Sequence, residues 1–146
     1  MSVKVSIINK SRNPLPDYET EGSAGMDLRA DLSEAQVLPA GEQAMIPTGI
    51  HIELPLGYEA QVRARSGLAA RNGIGLVNAP GTIDSDYRGE IKVILINWSK
   101  KDFVIEPGSR IAQMVVARHE RVEWKEAGAL TESERGAGGF GSTGTA

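Results

Sequence analysis

The apolar residues of this chain recur every second position, and that spacing limits the fold more than any other feature. In "YEAQVRAR" (58–65), Tyr58, Ala60, Val62 and Ala64 point one way, and Glu59, Gln61, Arg63 and Arg65 point the other. Val3, Val5 and Ile7 alternate with polar neighbours in the same manner. No long segment carries the period of a helix. Gly, Pro, Asn and Asp interrupt the runs, as in an all-β domain. "IKVILINW" (91–98) is apolar on nearly both faces, which predicts a central strand or one at a subunit contact. "RIAQMVVAR" (110–118) is similar, and "FVIEPGSR" (103–110) predicts a strand followed by a Pro-Gly turn. Many short strands with such turns predict a sandwich, jelly roll or distorted barrel.

Two segments depart from this rule. "SGLAARNG" (66–73) predicts a short helix with a Ser66 cap and an Asn-Gly stop. The end of the chain, "RGAGGFGSTGTA" (135–146), has five glycines and a single large apolar side chain, Phe140. It cannot bury enough apolar surface to offset the entropy of its own ordering. Residues 126–134 read as a tether to it. The expected organisation is a β-barrel catalytic domain over 1–125, the tether over 126–134, and a glycine-rich arm over 135–146.

At 146 residues the chain predicts one domain, 40% hydrophobic and 24% charged, the composition of a soluble globular protein. A net charge of -3 argues against a nucleic-acid partner. The absence of cysteine excludes disulfides, thiolate nucleophiles and cysteine-ligated zinc. The two histidines, His51 and His119, lie far apart in sequence, which points any catalytic metal toward a hard cation bound through oxygen. The N-terminal residues lack a continuous apolar h-region, and no run approaches a membrane span, so a cytoplasmic protein without membrane partners is expected. Only 5% of residues are aromatic. A core so thin in large side chains favours additional burial at oligomer contacts.

Five stretches hold polar residues that strands do not require. "AGMDLRA" (24–30) places Asp27 between Met26 and Leu28; a turn carboxylate is the plainer alternative. "ARSGLAAR" (64–71) combines Arg65 with Ser66 and Gly67 at a helix start, either an anion site or an ordinary cap beside a surface arginine. "NAPGTIDSDYRGEIKV" (78–93) begins as a tight hairpin and continues to Asp84 and Tyr87. Its acidic residues are either turn decoration or a carboxylate that orients water beside an aromatic wall. In "RIAQM" (110–114), Gln113 shares a strand face with Ile111 and Val115, where an apolar residue is expected. A buried amide needs a partner, whether backbone, water or ligand. In the tail, Arg135 and Phe140 have the reach for recognition, and the glycines let backbone amides close around phosphates. Together these features predict binding of a phosphorylated small molecule, with carboxylates available for a divalent cation and a water. They do not specify a base.

In this order and at these separations, "AGMDLRA", "RSGLA", "GTIDSDYRGE", "RIAQ" and "RGAGGFGSTG" closely resemble the motifs of the trimeric dUTP pyrophosphatases (dUTPases). The resemblance runs from about Gly22 to Gly144. It implies a jelly-roll-like distorted β-barrel with one short helix and a flexible C-terminal arm. It also implies a homotrimer with active sites shared between subunits. The implied reaction is Mg2+-assisted hydrolysis of dUTP to dUMP and pyrophosphate, which keeps uracil out of DNA and supplies dUMP for thymidylate synthesis.

By the same resemblance, Asp84 holds and deprotonates the water that attacks the α-phosphorus, and Gln113 assists there. Arg65, Ser66 and Gly67 hold the phosphate chain, and Asp27 meets magnesium through water. Asn78, Gly81, Thr82 and Ile83 form the hairpin that reads uracil, Tyr87 packs on the deoxyribose, and Lys92 joins the substrate-binding set. Arg135 meets the γ-phosphate, Phe140 stacks on the base, and Gly141 belongs to the same closing arm. Two other readings stay open on the sequence: a dCTP deaminase, which shares the fold, and a nucleotide-binding or interaction module on this scaffold.

Overall fold

The alternation in residues 58–65 becomes a strand, Tyr58–Arg63, with Ala60 and Val62 buried. It belongs to a computed structural model that describes residues 2–145. Met1 and Ala146, the outer ends of the expected domain and arm, lie outside the described residues. In chain order the elements are β1 (Ser6–Asn9), β2 (Met26–Arg29), β3 (Gln36–Leu38), β4 (Gln43–Glu53) and β5 (Tyr58–Arg63). A helix, α1 (Ser66–Asn72), precedes β6 (Ile74–Leu76), β7 (Gly81–Ile83), β8 (Ile91–Asn97), β9 (Phe103–Ile105) and β10 (Arg110–Arg118).

The strands form two four-stranded antiparallel sheets, β1-β4-β8-β6 and β2-β10-β5-β7, with a two-stranded β3-β9 ribbon. Their inner faces meet in one core. Ile46, Val93 and Leu95 come from the first sheet, and Leu28, Val62 and Met114 from the second. Burying each such side chain fully contributes about 1.5–3 kcal/mol. The sheets stay open among the described residues and do not close into a continuous barrel. The jelly-roll-like layering is the part of the expected architecture that describes them.

Strand β8 lies between β4 and β6, as its two apolar faces predict. Ile91, Val93 and Leu95 fill the core, while Ile94 and Ile96 lie half-buried on the outer face. At its end, Asn97 is wholly buried and fully satisfied. Its amide nitrogen donates to Leu38 O at 3.0 Å and Lys101 O at 2.8 Å, and its Oδ1 accepts from the Ser99 amide at 3.0 Å.

Three local expectations are corrected. Arg65, not Ser66, occupies the N-cap of α1, and no side-chain capping bond forms. The Arg65 backbone is extended and its carbonyl already accepts from Ala69 N at 3.0 Å, so the helix begins at Ser66. A bulge between Arg110 and Ala112 turns both Ile111 and Ala112 into the core, so Ile111 does not share the face of Gln113. The strands flanking "NAPGT" do not pair with each other: β6 pairs with β8 and β7 with β5. This connection crosses between sheets through a cis Ala79–Pro80 bond.

Candidate active site

The expected site residues fall into three separate groups. The first surrounds the start of α1. Strand β10 places Gln113 opposite both Asp27 of β2 and Arg63 of β5. Asp27, Arg65, Ser66, Gly67 and Gln113 therefore line one shallow pocket of about 220 Å³. Asp27 lies in a strand, not in a turn. Arg65 Nε stands 2.9 Å from Asp27 Oδ1, with the carboxylate only 18% exposed. Gln113 donates through Nε2 to Ala64 O at 2.9 Å, so the amide's partner here is backbone. Chemically the pocket combines a guanidinium, hydroxyls and the side-chain amide of Gln113 with two carboxylates, Asp27 and Glu19.

The second group lines a separate cleft of about 250 Å³. Asn78, Gly81, Thr82, Ile83, Asp84, Tyr87 and Lys92 all border it, together with Met45 and Ile94. Asp84 leaves β7 into a turn closed by Tyr87 N donating to Asp84 O at 3.2 Å. Among the described residues its carboxylate has no ion-pair partner. The Tyr87 hydroxyl donates to Glu90 O at 2.9 Å and passes directly over Gly89, where a side chain would collide with the ring. Lys92 Nζ lies 3.7 Å from Glu90 Oε2, and Glu90 Oε1 accepts from Gly49 N at 3.1 Å. Lys92 is thereby tied to the body of the first sheet.

Arg135, Phe140 and Gly141 form the third group and line neither pocket. Local turns hold their segment, including Gly138 N to Arg135 O at 3.1 Å and Ser142 N to Gly139 O at 3.1 Å. Arg135 Nε donates to Gly138 O at 2.7 Å. Phe140 is fully exposed and carries a positive φ of 52°, an uncommon backbone for a bulky side chain.

The first two groups share no residue. Ile83 is opposite Ala60, which sets Asp84 beside Glu59, whereas Arg65 lies past the far end of β5. At about 3.3 Å per residue, those points are about 20 Å apart along the strand. A single chain does not bring its own Asp84 to its own Arg65.

Beyond the expected residues, Glu19, Ser23 and Gly25 also line the first pocket, and Arg110 contacts Asp27 beside it. Arg110 Nη1 donates to Glu19 Oε1 at 2.9 Å and to Asp27 Oδ2 at 3.4 Å. Arg110 opens the very stretch that singled out Gln113, so a signal lay in the sequence. Glu19 sits in an irregular segment with no pattern to mark it. As for metals, no cluster of three acidic or histidine ligands occurs among the described residues. Both Asp27 oxygens already face guanidinium groups. Such a donor set fits a cation held mainly by substrate phosphates and water, as magnesium prefers.

An antiparallel β-sandwich with an arginine–carboxylate pocket, a separate carboxylate–aromatic cleft and a glycine-rich arm defines an all-β protein with two candidate ligand sites. The dUTPase family model matches residues 3–144. The chain belongs to the dUTPase family. It is 58% identical over 142 residues to the deoxyuridine 5'-triphosphate nucleotidohydrolase of Rickettsia felis, covering 97% of this chain and 96% of that protein. With the protein of the same name from Rickettsia bellii the identity is 60%, over 97% of this chain and 95% of that one. The fold is similar to that of a mutant Staphylococcus bacteriophage 80alpha dUTPase with dUpNHpp. There the TM-score is 0.84 at 24% identity, covering 99% of this chain and 100% of that one. A mutant dUTPase from a phage of S. aureus, described for its coordination of a structural Mg(II) ion, gives 0.79 at 20% identity, covering 89% and 100%.

Proposed function

We propose that the chain hydrolyses dUTP to dUMP and pyrophosphate by attack of water on the α-phosphate. The observation that carries this reading is the identity of 58% and 60%, along nearly the whole chain, with proteins named deoxyuridine 5'-triphosphate nucleotidohydrolase. The hydrolysis keeps uracil out of DNA and supplies dUMP for thymidylate synthesis.

In this reading the first group binds the phosphates. Arg65 exchanges Asp27 for phosphate oxygens, and Ser66 and the Gly67 amide add donors. Gln113 turns from Ala64 O toward the α-phosphate. The second group reads the nucleoside. Main-chain groups of Asn78 and Gly81–Ile83 pair with uracil, which leaves cytosine with mismatched donors. Tyr87 packs on the deoxyribose and leaves no room for a ribose 2′-hydroxyl. Asp84 aims a water at the α-phosphorus and takes its proton; the new P–O bond forms as the bond to the β-phosphate breaks, and pyrophosphate leaves. Positioning of this kind accounts for most of the catalysis in phosphoryl transfer. Asp27 would meet a magnesium ion brought by the triphosphate through that ion's bound water, and the ion would supply neutralisation of phosphate charge.

The reading requires more than one copy of the chain, because Asp84 and Arg65 of one copy are too far apart to meet on one phosphate chain. The homotrimer with shared sites is what the family resemblance implies, and an outer sheet face offers a contact for association. Met45 pairs with Ile94 across β4–β8, and Gly75 pairs with Ile96 across β6–β8. Met45 and Trp98 on this face are 59% and 69% exposed. Gln43 opposite Ile96 and Lys92 opposite Pro47 interrupt this face, but its exposed apolar side chains mark an interaction surface, and Met45 and Ile94 border the nucleoside cleft. The arm of a copy then closes over a completed site, with Arg135 on the γ-phosphate, Phe140 on the base and Gly141 allowing the turn. No helix among the described residues is long and apolar enough to cross a membrane. A cytoplasmic location is part of the proposal.

The test is pyrophosphate release from dUTP, dCTP, dTTP and UTP, each with and without magnesium, by the unmodified chain and by Asp84→Asn. Activity confined to dUTP is expected. Asp84→Asn should lower kcat by about 10²–10⁴. Ammonia release from dCTP would favour a deaminase, and full activity in Asp84→Asn would remove the proposed role of that carboxylate.

A further inference from the structure

The Asp27 carboxylate is gripped from two sides by different arginines. Arg65 Nε holds Oδ1 at 2.9 Å, and Arg110 Nη1 holds Oδ2 at 3.4 Å. Arg110 also reaches Arg65 through its main chain, where Arg65 Nη1 donates to Arg110 O at 3.3 Å. Its guanidinium also pairs with Glu19 Oε1 at 2.9 Å. The bulge after Arg110 sets this geometry, since it breaks the regular β10–β2 register at that residue.

This arrangement poses a problem for a phosphate-binding arginine. In the free chain, the charge of Arg65 is already answered by an internal carboxylate. A phosphate must displace Asp27 from Arg65, and Asp27, which already lines the pocket, would with no other partner stay on that guanidinium. There it would screen the guanidinium and repel the incoming anion. A second cation on the far oxygen removes the problem.

We propose that Arg110 is a positioning residue of the phosphate pocket: it retains Asp27 through Oδ2, so that Arg65 can leave Oδ1 for a phosphate. Glu19, which also lines the pocket, accepts from the same Arg110 Nη1 and so answers the rest of that guanidinium's charge. Arg110 thus acts through Asp27 and makes no phosphate contact of its own. The proposal rests on the phosphate reading of this pocket. It is tested by binding, which needs no turnover, so its failure is separable from failure of the hydrolase reading.

The probe is dUpNHpp, titrated calorimetrically with and without magnesium. Arg110→Ala should weaken binding about tenfold, the loss of one charge-assisted hydrogen bond, in both conditions. Arg110→Lys, which keeps the charge, should recover most of it. In an Asp27→Asn background, Arg110→Ala should cost less than about twofold, because nothing remains to be retained. An undiminished tenfold loss in that background would mean that Arg110 meets phosphate directly, and the proposal would fall. Unchanged affinity in Arg110→Ala would also overturn it. Should Arg110→Ala not fold, Arg110→Gln against Arg110→Lys carries the same comparison, and equal affinities for that pair would count against the proposal.

Discussion

The side-chain amide of Gln113 donates to the carbonyl of Ala64 at 2.9 Å, one residue before Arg65. This bond spans β10 and the end of β5, and so ties the amide expected at the α-phosphate to the arginine expected along the chain of phosphates. It is possible because residue 25 is glycine: a Cβ there would lie 2.5 Å from Gln113 Oε1.

Gly25→Ala should therefore push the amide off Ala64. Losing that bond should destabilise the fold by about 1 kcal/mol, and the KM for dUTP should rise. In a Gln113→Ala background, where neither the crowded atom nor the bond remains, Gly25→Ala should cost no further melting temperature and leave KM where Gln113→Ala puts it. A melting temperature unchanged by Gly25→Ala would show that the amide is not held as described.

If sites combine Asp84 of one copy with Arg65 of another, two inactive variants should rescue each other. Asp84→Asn and Arg65→Ala are each expected to be inactive. Denatured together and refolded, they should regain activity in about a quarter of sites, as random mixing in a closed symmetric oligomer dictates. A mixture that stays inactive would place the whole site within one chain.

The outer face of β4 and β8 is expected to carry the association. Met45→Asp puts a charge into an apolar contact facing Ile94. Sedimentation should then find a smaller species that retains its β spectrum and has lost turnover. A charge buried at an interface without a partner costs several kcal/mol. An unchanged sedimentation coefficient would move the contact to another surface.

Deletion of 135–146 should leave melting temperature and assembly unchanged, since among the described residues the arm's hydrogen bonds are local. Turnover should fall by about two orders of magnitude, because water exclusion and substrate positioning are lost together. Phe140→Ala should produce part of this loss. Near-normal turnover of the truncated chain would remove the lid.

The strands were legible because a period of two is written locally, as Ala60 and Val62 on β5 demonstrate. So was the end of α1, where Gly73 adopts the left-handed conformation after Asn72. The groups lining the two pockets were legible by resemblance: every expected residue outside the arm borders one or the other. The N-cap was misassigned, because Ser at a helix start is a common cap and the extended backbone of Arg65 is set by the strand before it.

Local spacing, then, determined that this chain is built from strands and turns, and its motif order determined the family. Tertiary structure alone decided which strands became neighbours, because runs such as β6 and β7 look alike locally and choose different sheets through distant partners. It also decided that Ile111 turns inward, since a bulge exists only relative to the strand opposite. The pairing of Asp27 with both Arg65 and Arg110 arises in the same way, from three separate segments that only the folded sheet brings within hydrogen-bond reach.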